Sequence, residues 1–337
     1  MHLSLPSPVR ALIPALVLAA AWWGPSMAGA AAEGAANDAA NRSPVLVAAC
    51  AGTLQASTSG SVASDALTEI SGIAASRRTR GVFWVHNDSG DSARVFAIDA
   101  TGKTLGEFAL DGAQAVDWED IAVAPGPGPN TKANGKGSTS DLYVGDIGDN
   151  TGTRASVTVY RVPEPAVDHA GTSFAEPVAR VLPGAVALTF TYPDGPHDAE
   201  ALLVDPRSHD LLVVTKDLVG GRGLVFRGRA DAPAGTSAVL EHVGQVSLGL
   251  AQGVTGGDVS ASGDTVALRT YLGVVLYPRP AGKKLWRAFE QTSCAGASPS
   301  LSTERQGEAV AFVPGGRAYL TVGEGVHPPL HRFAANR

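Results

Sequence analysis

From residue 69 onwards the chain alternates short apolar runs with polar turns. The runs are rich in Val, Ile, Leu and aromatic residues. They are bounded by Gly, Asp, Asn and Thr, a pattern that predicts short strands rather than helices. The first unit opens at Glu69-Ile70-Ser71-Gly72-Ile73-Ala74 and passes through a basic turn, Arg77 to Gly81. Val82-Phe83-Trp84-Val85 then stops at His86-Asn87-Asp88-Ser89-Gly90-Asp91, and Arg94–Ile98 and Thr104–Leu110 follow. Four short strands joined by tight turns make a meander.

The same plan recurs. A second unit opens at Asp117-Trp118-Glu119-Asp120-Ile121-Ala122, and Leu142-Tyr143-Val144 stops at Gly145-Asp146-Ile147-Gly148-Asp149-Asn150. Val157–Val162 and Val186–Tyr192 complete it, and a Pro/Gly/Asn/Lys-rich insertion over 125–140 reads as a flexible loop. A third opens at His197-Asp198-Ala199-Glu200-Ala201, stops at Thr215-Lys216-Asp217, and continues with Leu224–Arg227 and Val239–Val246. A fourth opens at Thr255-Gly256-Gly257-Asp258-Val259, stops at Arg269-Thr270-Tyr271, and continues with Gly273–Tyr277 and Lys284–Phe289. A fifth opens at Gln306-Gly307-Glu308-Ala309, stops at Gly323-Glu324-Gly325, and has only Leu330–Phe333 after that.

Taking Ser71, Glu119, Glu200, Gly257 and Glu308 as equivalent, the spacings are 48, 81, 57 and 51 residues. Periods of roughly 40–50 residues with four strands each predict a β-propeller. The expected fold is all-β: a single propeller over 45–337 with five four-stranded, WD-like blades, or six if the long second unit hides another. The last unit lacks a fourth strand. Pro44–Gln55, with Val45, Leu46 and Val47, is the N-terminal strand expected to complete it.

In a propeller the first strand of each blade lies innermost, and antiparallel pairing brings its start beside the end of the second. The starts and stops should therefore ring one mouth of the central channel. Glu119, Glu200 and Glu308 are the candidate catalytic residues: Glu is a poor turn former, yet three stand at one repeat position before apolar strand. Asp117, Glu119, Asp146, Asp198 and Glu200 are the candidate metal ligands, and Asn87, Lys216, Arg269 and Glu324 the candidate ligand-binding residues. Crowded carboxylates are either protonated or neutralised by cations, and oxygen donors suit Ca²⁺ or another hard divalent ion. Lys216 and Arg269 either balance the acids or hold an anionic group. For Asp88, Asp91, Asp149 and Asn150, turn formation competes with a ligand role. His86, His197 and His327 read as hydrogen bonders, and Trp84, Trp118 and Trp286 as packing residues. No HExxH, CxxC, P-loop or GxSxG element stands in its required context.

Composition narrows the setting. There are 40 Gly and 22 Pro, only 17% of residues are charged, and the net charge is −6. That argues against a nucleic-acid footprint, although a local basic patch remains compatible with it. Residues 1–30 read as a signal peptide: Arg10, the apolar Ala11–Trp23, and Ala28-Gly29-Ala30 as cleavage site. Residues 31–44 read as a disordered leader. The apolar run is too short to span a membrane. The mature protein is expected outside the cell or in the periplasm, as a monomer. There, Cys50 and Cys294 either form one disulfide, which the compartment favours, or stay as buried thiols.

The motifs Asp117–Ala122, Gly145–Asn150, Asp198–Leu202 and Gln306–Ala309 resemble those of secreted bacterial propeller proteins. More distantly the pattern is similar to phytase-like and gluconolactonase/regucalcin-like propellers. The resemblance covers about 65–337. The nearer family implies a fold and no activity. In phytase-like propellers acidic residues at the channel mouth bind calcium and basic ones hold phosphate. By position Glu119, Glu200, Asp146, Lys216 and Arg269 would take those parts. The expectation is a cation-binding mouth that takes a small anionic molecule or a partner loop. The alternative is a metal-dependent hydrolase of a phosphoester or lactone.

Overall fold

The computed structural model describes residues 42–127, 140–167, 178–250, 252–300, 303–304 and 306–336. The expected signal peptide, residues 31–41 of the leader and most of the 125–140 insertion lie outside them. In chain order a short helix, α1 (Pro44–Cys50), precedes β1 (Gln55–Ser61). Next come β2 (Ile70–Ala75), β3 (Val82–Asn87), β4 (Arg94–Asp99) and β5 (Thr104–Leu110). They are followed by β6 (Trp118–Pro125), β7 (Ser140–Asp146), β8 (Val157–Pro163), β9 (Val178–Leu182) and β10 (Val186–Thr191). The third group is β11 (Ala199–Val204), β12 (Asp210–Thr215), β13 (Arg222–Arg229), β14 (Ser237–Val239) and β15 (Glu241–Ser247). The last two are β16 (Val254–Val259), β17 (Thr265–Thr270), β18 (Gly273–Pro278) and β19 (Cys294–Ala295), then β20 (Gly307–Phe312), β21 (Ala318–Gly323) and β22 (Pro329–Ala334).

These strands form five sheets. The inner strands β2, β6, β11, β16 and β20 pack on one another in succession, and β20 meets β2 again, so the ring closes. This is a five-bladed β-propeller. Inner and second strands are almost wholly buried, and they carry the apolar clusters that fill the spaces between blades. Trp84 and Trp118 are buried among them and Trp286 partly so.

A sixth blade is not needed. The surplus length of the second unit sends β9 to the edge of the first blade, where it pairs parallel with β5. In the same way β14 leaves the third unit to pair parallel with β10.

An N-terminal strand closes the last blade as expected, but it is β1, paired antiparallel with β22. Val45-Leu46-Val47 is helical instead. Pro44 supplies a preset φ at the first turn, and Val45, Leu46, Ala48 and Ala49 form one buried face. Gly52, with φ 65°, ends the helix in the left-handed conformation. The helix carries Cys50 to Cys294, and the two form a disulfide that pins it beside β19. Lys284–Phe289 also departs from expectation. Leu285–Glu290 is a 3₁₀ helix that buries Leu285 and Ala288, and the fourth strand of that blade is the two-residue β19.

Candidate functional site

Every inner strand begins with the same irregularity. The registers pair Ile70 with Asn87, Trp118 with Asp146, Ala199 with Thr215, Val254 with Thr270 and Gly307 with Gly323. Each then skips one residue: Ser71, Glu119, Glu200, Thr255 and Glu308. These are β-bulges, which twist a strand sharply and re-aim a side chain. The fourth blade's equivalent is thus Thr255 rather than Gly257. A small residue follows the bulge in four blades, Gly72, Ala201, Gly256 and Ala309. A Cβ on Gly256 would press on the Glu308 carbonyl.

The bulge residues divide into two kinds. Ser71 donates to the Glu119 carbonyl at 2.6 Å, and Thr255 to the Gly307 carbonyl at 2.8 Å, so the hydroxyls tie neighbouring blades. Glu119, Glu200 and Glu308 are buried carboxylates. Asp88, Asp117 and Glu119 each offer an oxygen within 4.8 Å of the others, and so do Glu119, Asp198 and Glu200. Glu119 is common to both groups. The Gly145–Asn150 stop makes room for them. A Cβ on Gly148 would collide with carboxylate oxygens of Glu119 and Asp117. Asp149 N–H donates to Asp198 Oδ1 at 2.9 Å, which holds that carboxylate in place.

Among the described residues one cation, Lys216, contacts these groups, and Arg154 acts on Asp117 electrostatically. Lys216 Nζ lies 2.5 Å from Glu200 Oε1 and sits over the Tyr271 ring. It does not neutralise the cluster. Burial, then Glu200 and Asp88, hold Glu119 well above the usual carboxylate range. Burial pushes Glu200 up to about 7 against the pull of Lys216. Glu308 rises to about 8 through burial, Glu200 and Glu324, and Asp117 to about 6 through burial and Asp88. Asp88 and Glu324 are also raised, by burial first.

The other expected site residues are engaged elsewhere. Asp146 lies outside both acidic groups; it pairs with Arg154 at 2.8 Å and accepts the Asp117 N–H. Asn87 accepts from Glu69 N–H and donates to the Ala66 carbonyl and Asp91, bracing its own turn. Arg269 stands one register position earlier than the stop. It is 1% exposed, pairs with Glu304 and lies beneath Gly307, away from the acidic groups. Glu324 is half-buried and couples electrostatically to Asp88 and Glu69. Asp149 accepts the N–H groups of Thr153 and Arg154, as a turn former does. His86 is buried, bonded to the Asn87 carbonyl and depressed to about 4 by burial. His197 pairs with Asp194, and His327 with the Val62 carbonyl.

Asp88 is the residue that the strand-and-stop pattern undervalued, since Asp-Ser-Gly-Asp reads equally well as a turn. Its signal was there: it stands one position past the stop, as Lys216 does.

Below the bulges the buried Asp120 joins three blades. Its carboxylate accepts N–H groups from Ile121 at 2.8 Å, Leu202 at 2.8 Å and Gly257 at 3.1 Å, so it reaches from the second blade to the third and fourth. No helix among the described residues is long and apolar enough to cross a membrane. The chain matches no protein-family model and no curated protein sequence.

Proposed function

We propose that this chain is an exported propeller whose acidic mouth holds a divalent cation, Ca²⁺ by its chemistry, and there binds a small anionic molecule or a partner loop. The sharing of Glu119 between two oxygen-only groups carries this reading. The donors are carboxylates, hard ligands that suit Ca²⁺ or Mg²⁺. Gly148 leaves space against Glu119 and Asp117 where any side chain would intrude. With one lysine beside so many acids, a bound cation would relieve both the repulsion and the cost of burial. Asp88, Asp117, Glu119, Asp198 and Glu200 would hold it, and Lys216 would meet the anionic part of a ligand. Export is supported by the apolar Ala11–Trp23 segment and its small-residue cleavage pattern. The disulfide is compatible with an oxidising compartment.

The test is thermal unfolding and calorimetric titration of EDTA-treated protein. Calcium should raise the melting temperature in a concentration-dependent way. Identical melting in Ca²⁺ and in EDTA would remove a tight cation site. A second reading, metal-dependent hydrolysis of a phosphoester or lactone, is favoured by one observation: Glu200 and Glu308, at about 7 and about 8, titrate near neutrality beside Lys216. Turnover of phosphoester or lactone panels, lost in Glu119→Gln, would establish it.

A further inference from the structure

The opposite end of the channel holds a cavity of ≈ 360 Å³. It lies where the inner strands of four blades end, and its walls are mostly apolar: Ala74, Ala75, Val123, Val259, Phe312 and Val313. Arg77, Arg78 and Arg80 line it too, all from the turn between β2 and β3. A concave, largely apolar pocket of a few hundred Å³ with a few convergent charges is the usual form of a small-molecule site.

The turn is built rather than loose. Ser76 is buried, and its Oγ accepts the N–H groups of Arg78 at 3.2 Å and Thr79 at 2.8 Å. The same hydroxyl donates to Glu164 Oε1 at 2.5 Å. Glu164, itself buried, also receives Trp84 Nε1 at 2.9 Å and the Ser140 hydroxyl. The arginines therefore project from a turn anchored through Glu164 in the second blade. Arg77 reaches to the fourth blade and donates Nη2 to the Ala261 carbonyl at 2.9 Å, leaving the rest of its guanidinium to the cavity. Arg78 spends Nη1 on the Glu164 carbonyl at 2.9 Å. Arg80 makes no hydrogen bond or ion pair among the described residues. Two acids among the described residues act on this turn: Glu164, whose carboxylate is taken up by Ser76, Trp84 and Ser140, and Asp258, which lines the cavity and whose two oxygens accept backbone N–H groups, from Val259 and Phe312 at 2.7 Å each. Burial raises Asp258 to about 7, which weakens its opposition to an anion.

We infer that this end of the channel binds a small organic carboxylate, its apolar body against Val123, Val259 and Phe312 and its carboxylate on the Arg77 and Arg80 guanidiniums. Guanidinium–carboxylate pairing supplies the orientation, and the apolar walls supply the selection for a hydrocarbon body over a bare anion. The cavity shares no lining residue with the acidic groups of the other mouth.

The experiment titrates octanoate into the purified protein in EDTA, by calorimetry, with octanol and inorganic phosphate as comparators. Saturable one-to-one binding is expected with a Kd below about 1 mM, and at least about tenfold weaker binding of octanol and of phosphate. Arg77→Gln with Arg80→Gln should weaken octanoate at least about tenfold, with octanol unaffected. Ala261→Trp, on the exposed rim, should block octanoate while melting stays unchanged. No saturation at about 10 mM octanoate overturns the inference. So does binding that survives both the double Arg variant and Ala261→Trp, because it then lies elsewhere.

Discussion

The two ends of the channel are made by the same five inner strands. They differ in what the backbone does to the side chains there. At the acidic end a bulge opens every inner strand. At the other end the inner strands run on in regular register and the charge comes from a turn. The bulge forces a residue out of the alternation of the sheet, so a Glu at that position is both buried and directed at its neighbours. The turn instead presents arginines at the surface beside apolar strand ends. The first arrangement stores unbalanced negative charge, and the second displays positive charge over a greasy pocket. The lesson is that strand irregularity, more than composition, sets the chemistry of each mouth.

Asp120 joins three blades between these regions, so its removal should have the largest effect. Asp120→Ala leaves three buried backbone N–H groups without an acceptor. Each unsatisfied donor costs about 1–3 kcal/mol, so urea unfolding should show a loss of roughly 3 kcal/mol or more. A loss below about 1 kcal/mol would mean that water replaces the carboxylate and that the two mouths communicate.

Glu119→Gln comes next. It removes the ligand shared by both acidic groups and relieves repulsion at once. Calcium affinity should fall at least about tenfold, metal-free melting should rise, and octanoate binding should not move. A parallel loss of octanoate binding would destroy the independence of the two ends.

A smaller effect is expected of pH. Glu200 and Glu308 titrate at about 7 and about 8 in the folded chain, well above an unfolded carboxylate. The folded state thus holds protons that the unfolded chain has released. That contribution is full below the unfolded value and is lost as pH rises through the folded ones. Metal-free protein should melt a few degrees lower at pH 8.5 than at pH 6.5, about the shift expected of one to two kcal/mol. This window avoids His86, depressed to about 4, whose contribution is present above its unfolded value and lost on acidification. Asp258, at about 7, adds to the same fall from the other end. Saturating calcium should remove the acidic mouth's share and leave that of Asp258. A fall that calcium does not reduce would assign the titration to the wrong mouth.

The blades were legible because buried inner and second strands are apolar and evenly spaced. The Glu repeat was legible because three carboxylates before apolar strand are unusual in a turn. The closing strand was not, since Gln55–Ser61 is an outer edge with no large apolar residue, while the β-branched Val45 and Val47 read as strand although Val45 belongs to a buried helical face and Val47 is exposed beside it. Arg269 was misplaced because the bulge lies in the partner strand and shifts the register by one. From residue type alone a stop and the residue before it look the same. Asp146 was misplaced for a different reason: its counterion, Arg154, follows eight residues later in a turn whose path no pattern specifies.

The finest distinction lies within the acidic end, between bulges that carry a carboxylate and bulges that carry a hydroxyl. Ser71 Oγ donates to the Glu119 carbonyl at 2.6 Å and approaches Glu119 Oε2 at 3.4 Å. If the hydroxyl only joins blades, Ser71→Ala should cost about 1 kcal/mol, the net worth of one hydrogen bond, and leave calcium affinity within about threefold. If it also aims the Glu119 side chain, affinity should drop by more than that at unchanged stability. Thr255→Val is the control, because Thr255 donates to the Gly307 and Glu308 carbonyls and to no carboxylate. Its loss should lower stability by a similar amount and leave the cation untouched. Equal effects of both substitutions on affinity would show that the hydroxyl bulges act through the ring as a whole, and that their separation from the carboxylate bulges is one of residue type alone.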